Sequence, residues 1–134
     1  MTTNKKLQAL VIEDNIDNMK LITLLLHKGG FESVWANTGY MGVRMAEEKN
    51  PDFILLDIQL PDINGYEVLD RIRTLDSNIN KVPIIAMTSY AMSGDRQKLL
   101  SAGCNGYIEK PIDPMRVIDQ IKRIIENENK STHC

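Results

Sequence analysis

The sequence predicts an α/β protein of five (βα) units, a doubly wound, five-stranded parallel sheet held between two layers of helices. Three observations predict it. Short apolar runs and helix-like stretches alternate five times along the 134 residues. The runs are apolar nearly throughout, as strands are when helices cover both faces of a parallel sheet. The length suits one domain with a core of ordinary size.

The first strand is residues 7–12 (LQALVI). Over residues 16–28, Ile16, Met19, Ile22 and Leu26 recur at helical spacing, and Gly29-Gly30 supplies the stop. Residues 31–36 alternate like a strand. Thr38 is an N-cap for a helix to about Lys49, ended before Pro51. Residues 53–56 are a continuous apolar run. Asn64-Gly65 opens a third helix with Val68, Leu69, Ile72 and Leu75 on one face. Residues 82–87 are apolar and rich in β-branched side chains. Residues 95–102 read as a short helix closed by Gly103, and Tyr107-Ile108 as a brief strand. Asp113-Pro114 is an N-cap with proline at the first helical position. The helix it starts carries Val117, Ile118, Ile121, Ile124 and Ile125. Residues 1–126 are expected to form the domain, and the polar residues 127–134 a flexible C-terminal tail. The methionines at 19, 41, 45, 87, 92 and 115 read as core filler.

Composition excludes several classes. Lys plus Arg number 16 against 18 Asp plus Glu, a net charge of −2, so there is no basic footprint for nucleic acid. Two cysteines, Cys104 and Cys134, make no disulfide framework and no C-x-x-C metal pair. No apolar run approaches the roughly 18–20 residues needed to span a bilayer. The first residues lack the apolar core of a signal peptide, so a cytoplasmic protein is expected.

In open parallel sheets, ligands sit at the carboxyl ends of the strands, where strand order reverses. Glu13 and Asp14 follow the first strand, Asp57 the third, Thr88 the fourth, and Lys110 the fifth. Each alone reads more simply, the acids as helix caps, Lys110 as a surface charge, Thr88 as a turn residue. Together at one edge they read as a site. Glu13, Asp14 and Asp57 would repel one another without a cation, and a hard divalent ion such as Mg²⁺ suits carboxylate oxygens. An ionised Asp is a nucleophile toward phosphorus. The Lys110 ammonium and the Thr88 hydroxyl would stabilise a transferred phosphoryl group.

Four stretches carry a resemblance: residues 11–15 (VIEDN), 55–65 (LLDIQLPDING), 83–89 (PIIAMTS) and 106–111 (GYIEKP). In this order and spacing they resemble response-regulator receiver domains, the phosphoacceptor modules of two-component signalling. The match covers roughly residues 7–126. Within the family the chain resembles single-domain receivers of the DivK type. The resemblance implies a flavodoxin-like, CheY-like three-layer sandwich of strand order 2-1-3-4-5. It implies that Asp57 is phosphorylated, that Asp14 binds Mg²⁺ directly with Glu13 assisting, and that the Gln59 carbonyl is a further ligand. Lys110 would salt-bridge Asp57, Thr88 would bond a phosphoryl oxygen, and Tyr107 would be the switch aromatic. The Lys110-Pro111 peptide would be cis. Ser89 stands where many receivers have alanine, and Gln59 and Tyr90 occupy positions that tune dephosphorylation.

The resemblance further implies a sensor histidine kinase or a phosphotransfer protein as phosphodonor. The expected target is a downstream protein, bound on the face of the fourth helix, fifth strand and fifth helix. The loop of residues 89–94 with the fourth helix would be the bistable element. A monomer is expected, with phosphorylation-dependent dimerisation left open, and neither nucleic acid nor membrane as partner. The protein is expected to be no enzyme beyond its own phosphorylation and slow dephosphorylation. Other readings are a receiver that binds partners without phosphorylation, and a phosphate sink. A phosphatase of the haloacid dehalogenase type would want a second acid two residues after Asp57, where Gln59 stands. A flavin carrier would want a phosphate loop after the first strand, where Glu13 and Asp14 would repel the phosphate.

Overall fold

In the computed structural model, which describes residues 6–89 and 93–131, five parallel strands form one sheet. They are β1 (Gln8–Ile12), β2 (Glu32–Ala36), β3 (Phe53–Asp57), β4 (Ile84–Thr88) and β5 (Gly106–Glu109), ordered β2-β1-β3-β4-β5. The helices are α1 (Ile16–Lys28), α2 (Gly39–Lys49), α3 (Gly65–Arg73), α4 (Ser93–Ser101) and α5 (Val117–Ser131), with a 3₁₀ turn at Asn78–Lys81. The expected fold and strand order are those observed.

Two cores lie on the two faces of the sheet. On one face Ala9, Val11, Phe53, Leu55 and Met87 pack under Ile22 and Leu26 of α1 and Val117 and Ile121 of α5. On the other, Leu10, Ile12, Ile54 and Leu56 meet Ala46 of α2, Leu69 and Ile72 of α3 and Leu99 of α4. This two-sided burial explains why β1, β3 and β4 read as unbroken apolar runs.

The helix starts follow local chemistry. The side-chain oxygens of Asn15, Thr38 and Asn64 accept from the N–H groups of Asn18, Met41 and Glu67 at 2.9, 3.1 and 3.0 Å. Helix α2 ends at Asn50, which takes the left-handed conformation (φ 50°) that asparagine tolerates. At Gly65 a Cβ would lie 2.5 Å from the Ile58 Cα, so only glycine lets α3 start this close to the end of β3.

Several boundaries differ from expectation. Asp113 does cap, accepting from the Met115 N–H at 2.9 Å, but residues 114–116 form a turn and regular helix begins at Val117. Helix α5 continues to Ser131, past the boundary expected at residue 126. Ile16 of α1 is exposed, and so are Met41 and Met115, against the expectation of core positions; Met87 is fully buried. Residues 90–92, including Tyr90 and Met92, and residues 132–134 lie outside the described residues.

Candidate functional site

The carboxyl ends of β1, β3, β4 and β5 meet at one edge of the sheet, and each delivers a chemically active side chain there. Glu13 follows β1 directly and is fully buried; Asp57 ends β3 at 2% exposure; Thr88 ends β4 at 3%. Asp14 is exposed at the rim. One carboxylate oxygen from each of Glu13, Asp14 and Asp57 lies within 4.8 Å of the others.

Lys110 enters from just beyond β5. Its Nζ lies 3.1 Å from Asp57 Oδ2 and 3.4 Å from Glu13 Oε1. The Lys110–Pro111 peptide is cis, and the Lys110 N–H donates to the Thr88 carbonyl at 2.9 Å. The second Asp57 oxygen, Oδ1, accepts from the Gln59 N–H at 2.9 Å. Both oxygens of Asp57 are therefore braced, and the plane of its carboxylate is fixed.

Glu13 is less well provided. Its Oε2 accepts a long bond, 3.3 Å, from the Asn15 N–H. Its Oε1 is buried with no hydrogen-bond partner, since the nearby ammonium of Lys110 makes a charge contact without hydrogen-bond alignment. Burial, then hydrogen bonding to Asp57 and repulsion from its charge, push the Glu13 carboxyl up to about 7. Lys110 and the Asn15 N–H pull the other way and lose.

An unsatisfied buried oxygen costs about 1–3 kcal/mol. Here it belongs to a group of three carboxylates facing one ammonium. Such an all-oxygen, acid-rich set fits a hard divalent cation, which would satisfy Glu13 Oε1 and offset the excess negative charge. Gln59 is exposed beside the pocket.

Tyr107 is half-buried on β5, paired in register with Ala86 of β4, and the Arg96 guanidinium of α4 lies 5.2 Å from the centre of its ring. Below it a groove of about 480 Å³ is lined by Leu100, Tyr107, Glu109, Arg116, Arg123 and Ile124. The groove lies against β5 and α5, and its lining includes none of Glu13, Asp14 and Asp57.

Two contributors escaped the sequence reading. The Trp35 Nε1–H on β2 donates to the Glu13 backbone carbonyl at 2.6 Å. Asp62, in the loop after β3, caps a helix that is not its own. Its two oxygens accept from the Gly39 and Tyr40 N–H groups of α2 at 2.8 and 2.9 Å. Slight burial works upward on the Asp62 carboxyl, but these donors outweigh it and hold it below the ordinary carboxylate value. Neither contact has a local sequence signature, because each joins residues 22 or 23 positions apart.

The comparisons with known proteins agree with this geometry. The family model for the response regulator receiver domain matches residues 9–122. The polar-differentiation response regulator DivK of Brucella ovis is 40% identical over 114 residues, covering 85% of this chain and 92% of that protein. Among solved structures, the receiver domain of the sensor histidine kinase PA1611 from Pseudomonas aeruginosa PAO1 has a TM-score of 0.81 at 35% identity, covering 91% of this chain and 99% of that one. That structure holds a magnesium ion coordinated in its active-site cleft. A CheY-like receiver domain protein from Methanospirillum hungatei JF-1 has a TM-score of 0.83 at 27% identity, covering 95% of this chain and 99% of that one. With its four motifs, its strand order and its acid-lined sheet edge, this chain belongs to the response regulator receiver domain family.

Proposed function

We propose that this receiver takes a phosphoryl group onto Asp57 in a Mg²⁺-dependent reaction and signals by protein contact. The observation that carries the proposal is the state of Asp57: nearly fully buried, 3.1 Å from Lys110, and clustered with Glu13 and Asp14. The donor is a sensor histidine kinase or a phosphotransfer protein, and the setting is the cytoplasm. Among the described residues no helix is long and apolar enough to cross a membrane.

An Asp57 oxygen attacks the phosphorus of a phosphohistidine. A new O–P bond forms, the N–P bond breaks, and the electron pair leaves with the imidazole nitrogen, which ends protonated on the donor. Glu13, Asp14 and Asp57, with the Gln59 carbonyl, would hold Mg²⁺, which when bound neutralises charge on the carboxylates and on the phosphoryl oxygens. Lys110 stands ready to transfer its contact from the carboxylate to the phosphoryl group. Thr88, at the end of β4, supplies a hydroxyl to a second phosphoryl oxygen.

The output follows from charge and space. Phosphorylation adds about −1.5 to −2 charge and three strong acceptors. Drawing Thr88 toward that group vacates room beside β4, and Tyr107 on the neighbouring strand is the ring placed to turn into it. Its turning would release Arg96 and reshape the groove on the α4-β5-α5 face, where a downstream protein docks. In this reading the protein is a switch and not an enzyme acting on other substrates.

The test is intact-mass spectrometry after incubation with acetyl phosphate, with and without Mg²⁺, on wild type and Asp57→Asn. The expected result is a gain of one phosphoryl group that needs both Mg²⁺ and Asp57. Absence of the gain, with a control receiver phosphorylated in parallel, would overturn the proposal in favour of a receiver that binds partners unphosphorylated.

A further inference from the structure

We infer that Trp35 is a positioning residue for the carboxylate turn: its indole N–H fixes the Glu13 peptide and so sets how tightly Glu13 and Asp14 bind a divalent cation. The inference rests on the Mg²⁺ reading above and adds a residue to it.

The argument starts from the ladder between β1 and β2. Strand β1 ends at Ile12, which pairs with Ala36, and Val11 pairs with Trp35. The Glu13 N–H still reaches the Ala36 carbonyl at 3.0 Å, a last ladder bond beyond the strand. The Glu13 carbonyl is then bonded not by backbone but by the Trp35 indole, at 2.6 Å, short for an N–H···O bond. Two consecutive residues of β2 thus hold both polar groups of the Glu13 backbone. Two residues on, Asn15 caps α1 through its side chain, and its carbonyl accepts the Met19 N–H at 2.9 Å.

The turn that carries Glu13 and Asp14 is therefore anchored to β2 on one side and to α1 on the other. Asp14, between the anchors, keeps an exposed side chain. Trp35 itself is only half-buried, so core packing alone does not account for its contact. Without the indole N–H, the Glu13 carbonyl loses its donor and the turn gains freedom. A cation must then order the turn as it binds, which weakens binding. Groups that orient metal ligands from outside the coordination sphere are worth 10- to 100-fold in affinity at other sites. A turn still held by the Ala36 and Asn15 bonds places this one near the low end.

The chain holds one tryptophan, which makes a clean test available. Biosynthetic replacement of tryptophan by benzothienylalanine keeps a fused bicyclic ring of nearly the same shape and puts sulfur, which cannot donate, in place of the N–H. Calorimetric titration of the metal-free chain with MgCl₂ is expected to give a dissociation constant roughly tenfold weaker for the analogue than for wild type. Trp35→Phe, the second variant, is expected to weaken binding at least as much. In wild type, the single indole N–H resonance is expected to shift during the titration and to report the same constant as calorimetry. Unchanged affinity in both variants, with or without a lower melting temperature, would overturn the inference and leave the metal reading intact. Failure of wild type to bind Mg²⁺ would overturn both.

Discussion

The two ends of the sheet bury charge in opposite ways. At the carboxyl end, Glu13 and Asp57 share the Lys110 ammonium with Asp14 close by, and Glu13 Oε1 is left without a hydrogen bond. At the other end, the half-buried Arg73 guanidinium donates five hydrogen bonds and, among the described residues, pairs with no carboxylate at bonding distance. Its acceptors are the Asn80 and Val82 carbonyls before β4, the Gly103 carbonyl, and Asn105 Oδ1 before β5, at 2.6–3.1 Å. Burial lowers the Arg73 pKa from its ordinary value, and the neighbouring Cys104 thiol is pushed up to about 11 by its own burial. One end is satisfied and closed; the other keeps a deficit that a ligand can fill. A buried charge thus marks a functional site when its hydrogen bonds are incomplete, more than by being buried.

Breaking the satisfied end should have the largest effect. Arg73→Met leaves its acceptors without their donor and is expected to cost about 3 kcal/mol in urea unfolding, while folded protein still takes up phosphate on Asp57. A loss under about 1 kcal/mol would mean that water replaces the guanidinium.

The open end should instead show itself through pH. The folded Glu13 carboxyl titrates near 7 against an ordinary value of 4.5, so between those values the folded chain holds a proton that the unfolded chain has lost. Stability of the metal-free protein is therefore expected to fall as pH rises from about 4.5 to 7, by a few kcal/mol at most, and then to level off. Glu13→Gln should remove that slope. A slope unchanged in the variant would assign it to other groups.

Smaller effects sharpen the contrast. Asp62→Ala deletes the acceptor of the Gly39 and Tyr40 N–H groups, leaving Thr38 as the cap of α2, and is expected to cost about 1 kcal/mol, with faster hydrogen exchange at the start of that helix. Arg44→Ala breaks an exposed pair with Glu48 (3.1 Å) and should change stability by less than about 0.5 kcal/mol. Thermal or urea melts on the two variants read both.

What was legible in the sequence follows the same division. Strands buried on both faces announce themselves as apolar runs, and caps such as Asn64 or Thr38 act within three residues. Glu13, Asp14, Asp57, Thr88 and Lys110 were legible because topology alone puts strand ends together. Arg73, Trp35 and Asp62 were not. Each reaches a backbone group far along the chain, and no periodicity or short motif encodes such a bond. The start of helix α5 was misjudged because a proline after a cap is a weak local cue for where regular helix begins.

The strand order also has a consequence for how the pocket is put together along the chain. β1 sits between β2 and β3, so the first three strands to emerge can pair with one another before the rest of the chain exists. Glu13 and Asp57 belong to that early half. Lys110 lies beyond β5 at the far edge and arrives only when the last strand docks. Docking of β5 thus completes the sheet and brings the Lys110 ammonium to the acids, offsetting part of their charge.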